Sequence, residues 1–503
     1  MRKLLLGSTA VAAAALFATG AFAQTPAVSN VIIGPGAGNA WSGFADVNRP
    51  NLGGTIGALG GVEVRLGGFV RAYYGYNSQS YRSSNQGAGG IGAGAANGAG
   101  SIRIGNSDFF QETEIHIVAN GKAANGLRYG AALEIENDQI VQVGAVNANG
   151  GSLIGSAAAN GTGSPANKNT ITLDESWVYV QGAFGQVRFG DEDPALALMA
   201  TGHITNFASG GLDGDFYDVL VGANGGGARV NLGMPSDNGD NTKIIYMTPQ
   251  FFGFDAGASF AFNTGEADRE GCIEINNQCD RLAATPGGLA RRRNEVTGVV
   301  RWRGSFGPIG AAAHVGYMGA DGVKNSAAPA NVAVPGNAGI SPERMNLIEG
   351  GAQFTAFGFT VGARGFFGHG NVIGGNVPLF PDRAVFRRDD RNAGMLSAGA
   401  SYTIDALTVG VQAARVNTAG NQTYGTGARR EQAINAGITY RIAPGLEAIA
   451  EYTYVERRER GYDFVTGGTG VAVAGGQPGA FTGTNTNNMI RANVVLAGLR
   501  MHF

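Results

Sequence analysis

Beyond its first two dozen residues this chain has no long apolar run. No later segment reaches the roughly 18 consecutive apolar residues of a membrane-spanning helix, which excludes one. Cysteine is nearly absent, two in 503 residues, so a disulfide-built scaffold is excluded. Charged residues make up only 15% while hydrophobic residues reach 44%, a balance too apolar for a disordered chain. Neither sign of charge dominates, with 36 Lys+Arg against 38 Asp+Glu, so no basic surface points to nucleic acid. Lysine is scarce, five against 31 arginines, and arginine suits fixed, hydrogen-bonded positive charge. Proline is limited to 16 and glycine shows no every-third spacing, so collagen is excluded. What is abundant is glycine, 85 residues, about one in six where about 7% is usual. Glycine weakens helix interiors, so a long-helix or coiled-coil protein is excluded as well. A large, glycine-rich, β-dominated chain is left.

The start reads as an export signal. Arg2 and Lys3 precede the apolar stretch Leu4–Phe17, and Ala21-Phe22-Ala23 offers a small-residue cleavage site. Residues 1–23 are expected to be removed, leaving a mature chain from Gln24. Cys272 and Cys279 lie close together in an exported chain, so a disulfide stapling that loop is expected. A metal site there would need more ligands, and no histidine is near. The glycine-rich Val31–Gly38 superficially resembles a nucleotide loop but contains Pro35, lacks the third glycine spacing and has no helical pattern after it.

The main signal is period-two alternation. In Val62–Tyr76 one face reads Val62, Val64, Leu66, Gly68, Val70, Ala72, Tyr74 and Tyr76. The other reads Glu63, Arg65, Gly67, Phe69, Arg71, Tyr73 and Gly75. One suits hydrocarbon, the other water. The pattern recurs in sixteen segments: 62–76, 109–119, 127–137, 173–181, 186–190, 243–248, 254–263, 295–303, 309–318, 346–354, 359–367, 394–404, 407–416, 432–442, 446–456 and 490–503. Val299 breaks the alternation of its segment. In the last, Ile490, Ala492 and Val494 stand out of parity with Val495–Phe503, so a bulge is one way to reconcile them.

Connections between the segments alternate short and long, and the long ones hold low-complexity stretches such as Gly87–Gly100 and Gly144–Gly163. A transmembrane barrel has such a rhythm, with tight turns at one rim, long loops at the other and an even strand count. In lipid every backbone polar group must be paired internally, so the sheet must close. Sixteen strands enclose a water-filled lumen, where the polar face needs no buried partners. The expected organisation is a leader (1–23), an N-terminal segment of unassigned role (24–61) and an all-β, sixteen-stranded antiparallel barrel (62–503). The longest connection, about 191–242, is the third long-or-short loop pair's outer member.

The closing alternation Val495, Ala497, Leu499, Met501, Phe503 resembles the terminal strand by which outer-membrane barrels are recognised for assembly, with Phe503 as the signal residue. NGLRYGA (Asn125–Ala131), DESWVYV (Asp174–Val180), FGQVRFG (Phe184–Gly190) and YMTPQFFGF (Tyr246–Phe254) are similar to general diffusion porins of the alphaproteobacterial type, in order and spacing. The resemblance runs from about residue 62 to the end. It implies an outer-membrane homotrimer of barrels, in contact with lipid and lipopolysaccharide, passing ions and small hydrophilic solutes without enzyme chemistry or cofactor. It also implies a third loop folded into each lumen.

A pore of this kind works by a water path, a size limit and a charge field. The proposed third loop offers Asp213, Asp215 and Asp218, and the walls offer Arg65, Arg71, Arg128 and Arg188 at inward parity. Together these are the expected constriction residues, with Arg71 and the three aspartates foremost. Asp191 and Glu192 follow a strand directly and are expected to be structural. Arg291-Arg292-Arg293 at an outer strand end suits anions or lipopolysaccharide phosphate, and His116 and His314 have inward parity. Two rival functions stay open at this stage. One is a substrate-selective channel for sugar, phosphate or peptide, whose aromatic track would use Phe69, Tyr73 and Phe366. The other is a non-conducting outer-membrane adhesin or enzyme barrel.

Overall fold

The structure, a computed structural model, describes residues 55–59, 61–80, 83–84, 102–103, 105–138, 170–220, 232–238, 241–263, 292–322, 344–369, 393–419, 428–459 and 488–503. Sixteen long strands dominate it. In order they are β1 (Val62–Gln79), β2 (Ser107–Lys122), β3 (Arg128–Asp138), β4 (Thr170–Gly182), β5 (Gly185–Glu192), β6 (Asn241–Met247), β7 (Phe254–Asn263) and β8 (Arg292–Phe306). There follow β9 (Ile309–Gly322), β10 (Met345–Ala356), β11 (Phe359–His369), β12 (Ala393–Ile404), β13 (Leu407–Ala419), β14 (Ala428–Ala443), β15 (Leu446–Glu459) and β16 (Met489–His502). Neighbours in this order pair antiparallel, and β16 pairs back onto β1, with Val495 opposite Tyr76 and His502 opposite Phe69. The sheet is a closed barrel, which removes the exposed edges an open sheet would present.

The alternation divides the side chains as expected. Val70, Tyr74 and Tyr76 point out and are exposed, while Arg71 and Tyr73 point in and are buried. Short turns close one rim. Phe357 and Gly358 both take positive φ (50° and 84°), the geometry whose twist matches the flanking strands of a two-residue hairpin. Aromatics gather beside these turns, Phe251, Phe252, Phe306, Phe357 and Phe359 among them, all well exposed, as an interfacial girdle requires.

Three details differ from the sequence reading. First, β16 has no bulge: it pairs continuously with β15 from Leu446–Met501 to Arg458–Met489. Ile490, Ala492, Val494 and Leu496 simply face inward and are fully buried. Second, the lumenal polar groups are not solvated singly. Many are buried and paired with one another or with the third loop, as Arg71 is with Glu112 and Asp215 and Arg364 is with Glu349 and Asp237. Third, a five-residue strand, Thr55–Leu59, joins the sheet inside the segment that had no assigned role. It pairs with Val62–Arg65 of β1. Phe503 lies opposite Gly68, where its N–H donates to the Gly68 carbonyl and its own carbonyl accepts from the Gly68 N–H (3.1 Å each). Below that point one edge of β1 would be bare, and the short strand covers it.

Candidate functional site

The connection between β5 and β6, residues 193–240, turns into the barrel. Every residue from Glu192 to Tyr217 except Asn206 is buried. It starts with one helical turn, α1 (Ala195–Leu198), set against β7 and β8. Met199 of this part lies over Gly257 and Leu196 over Gly316. Val299, beside both glycines, shares their buried apolar cluster, so the residue that broke the alternation of β8 packs where the loop seats. Farther on, Thr201 N–H donates to His314 Nδ1 (3.0 Å), and Ser401 Oγ donates to Asn206 Oδ1 (2.8 Å). Leu212 N–H donates to Gln412 Oε1 (2.9 Å), and Ser209 N–H donates to Glu451 (3.2 Å). Near its tip Val219 lies against Leu496 of β16, and its carbonyl accepts from Asn77 Nδ2 (2.9 Å). The loop thus follows the inner wall from β7 round to β1. The apolar inward face of β16 belongs to the same buried cluster as Val219 and Leu220 of the loop, which removes it from water.

Glycine makes room for this path. Gly257, Gly316, Gly351, Gly362, Gly410, Gly437 and Gly75 sit on successive parts of the wall with their missing side chains toward the lumen. A Cβ at each would overlap loop atoms: Met199, Leu196, Thr201, Gly202, Phe207, Ala208 and Val219 respectively. The Phe207 ring fills the gap over Gly410. Part of the glycine excess seen in composition is therefore a seat for the loop.

Two arginines fasten the seated loop. Arg71 Nε donates to Glu112 Oε2 (3.0 Å), and its guanidinium lies 3.2 Å from Asp215 Oδ1 and 4.7 Å above the Phe69 ring. Glu112, Asp215 and Asp218 place carboxylate oxygens within 4.8 Å of one another around it. Arg364 on β11 holds the returning limb. It donates to Glu349 Oε1 (2.9 Å), to both oxygens of Asp237 (3.0 and 2.6 Å) and to Ser236 Oγ (2.9 Å). Ser236 in turn donates to Glu349 Oε2 (2.7 Å). Beside this cluster His203 is buried. Burial, then the Arg364 charge, lower its pKa to about 3, so it stays neutral.

Of the expected constriction residues, Arg71, Asp215 and Asp218 come together. Asp213 is buried in the adjoining turn Gly211–Asp213. Arg65 lies low on β1, 3.0 Å from Glu63. Arg128 lies at the turn-side rim, opposite Lys122 and Gln181. Arg188 stacks 4.2 Å over Trp177 and pairs with Glu192 (2.8 Å), so Glu192 is a strand-end partner. The second anchor, Arg364 with Asp237, was not singled out from sequence. Arg364 had inward parity, but nothing local marks which loop residue returns to it. His116 and His314 do face inward, and so do Phe69, Tyr73 and Phe366. Glu114, His116 and Glu134 bring three potential metal-ligand atoms within 4.8 Å on β2 and β3. Cys272, Cys279 and Arg291 lie outside the described residues, as do the side chains of Arg292 and Arg293.

Asp215 gives the loop tip a pH response. Burial pushes its carboxyl up to about 7, against the pull of Arg71 and with the Asp218 and Glu451 charges adding to the rise. The protonated acid is therefore favoured in the docked loop. Docking is tightest at acid pH and loosens as pH rises through about 7. Limited proteolysis of the loop is expected to be at least roughly tenfold slower at pH 5 than at pH 8, the loss of docking accumulating as pH rises toward about 7. Asp215→Asn should abolish the difference, and an unchanged pH dependence in that variant would refute the assignment.

A closed, lipid-facing barrel with a charged loop folded through its lumen defines an outer-membrane channel. The sequence profile of Gram-negative porins matches residues 10–460, and the chain belongs to that family. Among solved structures it is similar to an anion-selective porin from Comamonas acidovorans, at 16% identity over 88% of this chain and 100% of that one, with a TM-score of 0.44. It is also similar to the outer-membrane channel DcaP of Acinetobacter baumannii (11% identity, 90% and 100% covered, TM-score 0.45). A third is the outer-membrane protein OmpT of Vibrio cholerae (11%, 90% and 100%, TM-score 0.44). No curated protein matches it. The protein is a porin of the outer membrane for passive diffusion of ions and small hydrophilic solutes.

Proposed function

We propose that three barrels assemble side by side and that each conducts past a constriction set by its third loop. On this reading the signal segment is cleaved after Ala23, and the assembled trimer contacts outer-membrane lipid and lipopolysaccharide. The supporting observation is the seated loop itself: its acidic tip at Arg71 sets carboxylates and a guanidinium side by side at mid-barrel. Such opposed charge imposes a transverse field on the water path. Polar solutes reorient in that field, while apolar ones must disrupt ordered water.

Planar-bilayer recording tests this. Purified protein added at nanomolar concentration is expected to give stepwise conductance in groups of three equal closures. An absence of steps would overturn the channel reading, and isolated single closures would overturn the trimer.

A further inference from the structure

On the outer wall, near the long-loop rim, the strand register lines up charge where a barrel usually presents apolar groups to lipid. One outward row runs Leu396, Arg415, Gln432, Glu456, Arg491 across β12–β16, each residue opposite the next. The row above it runs Asn417, Arg430, Arg458. Glu456 is pinned in the middle. It accepts from Arg458 Nε (2.7 Å), Arg491 Nε (2.8 Å) and the Tyr454 hydroxyl (3.0 Å). Arg415 and Arg430 are exposed and hold no partner among the described residues. Four arginines thus face one glutamate. Arg430 and Arg458 also stand directly opposite each other across β14 and β15. Like charges in that position destabilise a sheet unless an anion lies between them.

Directly below these rows the outer wall is concave. A cavity of about 780 Å³ is lined by Phe367, Leu396, Ala398, Ala413, Ile434 and Tyr454, with Arg415 and Asn417 at its edge. The small outward residues of β12 and β13 form its floor, and the larger apolar ones form its sides. It opens toward hydrocarbon, and its upper edge is cationic.

We propose that this surface binds a phosphorylated lipid, with one acyl chain in the groove and the phosphate on Arg415, Arg430 and Arg458. The proposal rests on the outer-membrane placement and gives the lipid contact a definite site. Charge complementarity favours this occupant over another barrel, since the patch carries three net positive charges and needs an anion. The arginines bridge a phosphate with paired N–H donors, which a point charge cannot do as well.

The test is native mass spectrometry and equilibrium binding in detergent with two probes of identical acyl chains, a diphosphorylated glucosamine lipid and its dephosphorylated form. The wild-type protein is expected to hold the phosphorylated probe about 30-fold more tightly. Arg415→Ala with Arg430→Ala should remove that preference, and Ala413→Trp should weaken both probes by filling the groove. Bilayer conductance should stay unchanged in both variants, which separates this site from the channel reading. Equal binding of the two probes, or unchanged binding in the variants, would overturn the proposal. So would dissociation of the oligomer by Ala413→Trp with lipid binding intact, since the face would then be an interface between copies. If a variant fails to fold, the wild type alone decides: its phosphate preference must fall steeply as salt rises, and a salt-independent preference rejects the assignment.

Discussion

Replacing Gly410 by leucine is expected to lower single-channel conductance at least twofold and to add flicker. Gly410 lies on the inner wall of β13, and the Phe207 ring occupies the space its side chain would need. Wall and loop cannot both fill that space. The barrel strand is paired on both sides from Leu407 to Asn417, so it does not give way at Gly410. The loop does, and the only direction open to it is toward the axis. Overfilling a fitted contact costs about 1–3 kcal/mol. That cost is comparable to the few backbone and side-chain hydrogen bonds that hold this stretch, each about 1 kcal/mol net. Leu212 N–H to Gln412 and Ser209 to Glu451 would be strained or lost. Removing the obstruction from the other side should repair the defect: Gly410→Leu with Phe207→Ala is expected to recover wild-type conductance. Gly298 supplies the control. It faces outward on β8 with nothing within 4 Å of a built Cβ, so Gly298→Leu should conduct normally. Wild-type conductance in Gly410→Leu would show that the seat does not position the loop.

The barrel was legible in the sequence because lipid imposes a simple rule on it. Closure and two-sided solvent force period-two alternation, and all sixteen segments read that way occur as strands. Even the exception at Val299 held information, since an apolar residue at inward parity needs an apolar partner, and the loop provides one. The same rule misled at β16. Treating the lumen as plain water made Ile490, Ala492 and Val494 look out of register, whereas they are buried inward, in the apolar cluster that also holds Val219 and Leu220 of the loop. The Arg364–Asp237 anchor was illegible for another reason. It joins residues 127 positions apart through a loop with no periodicity, and alternation is silent on such contacts. The outward arginines were hidden similarly, since charge near a strand end reads as ordinary rim until the register shows Arg430 opposite Arg458. The strand Thr55–Leu59 is too short, at five residues, for a pattern to show.

Ion preference is the second large effect, and its sign follows from the loop. Among its described residues, 193–220 and 232–238, the loop has five aspartates and no lysine or arginine. Over the whole connection 193–240 the sequence adds Arg229 and Asp240, so acid still predominates. Both wall anchors stay acidic after pairing. Arg71 meets Glu112, Asp215 and Asp218, and Arg364 meets Asp237 and Glu349. A basic patch does exist toward the short-turn rim, Arg301 and Arg303, but both are paired with Asp255, and Arg301 stands opposite the His314 that Thr201 of the loop contacts. A field acts on a passing ion most where the path is narrowest and the walls least polarisable. The channel is therefore expected to favour cations, with a reversal potential of cationic sign in a salt gradient at pH 8. One charge about 8 Å from the ion biases it by about 2 kcal/mol at an effective dielectric of about 20, and screening at physiological salt leaves roughly a third of that. Each loop aspartate changed to asparagine should then reduce the cation preference by about threefold. Asp218→Asn is the cleanest substitution, since Asp218 is exposed and neither anchor depends on it alone. Lowering the pH from 8 to 5 should act in the same direction through Asp215, whose carboxyl takes up a proton near 7. An anionic reversal potential at pH 8 would mean that Arg301 and Arg303, rather than the loop, govern the field.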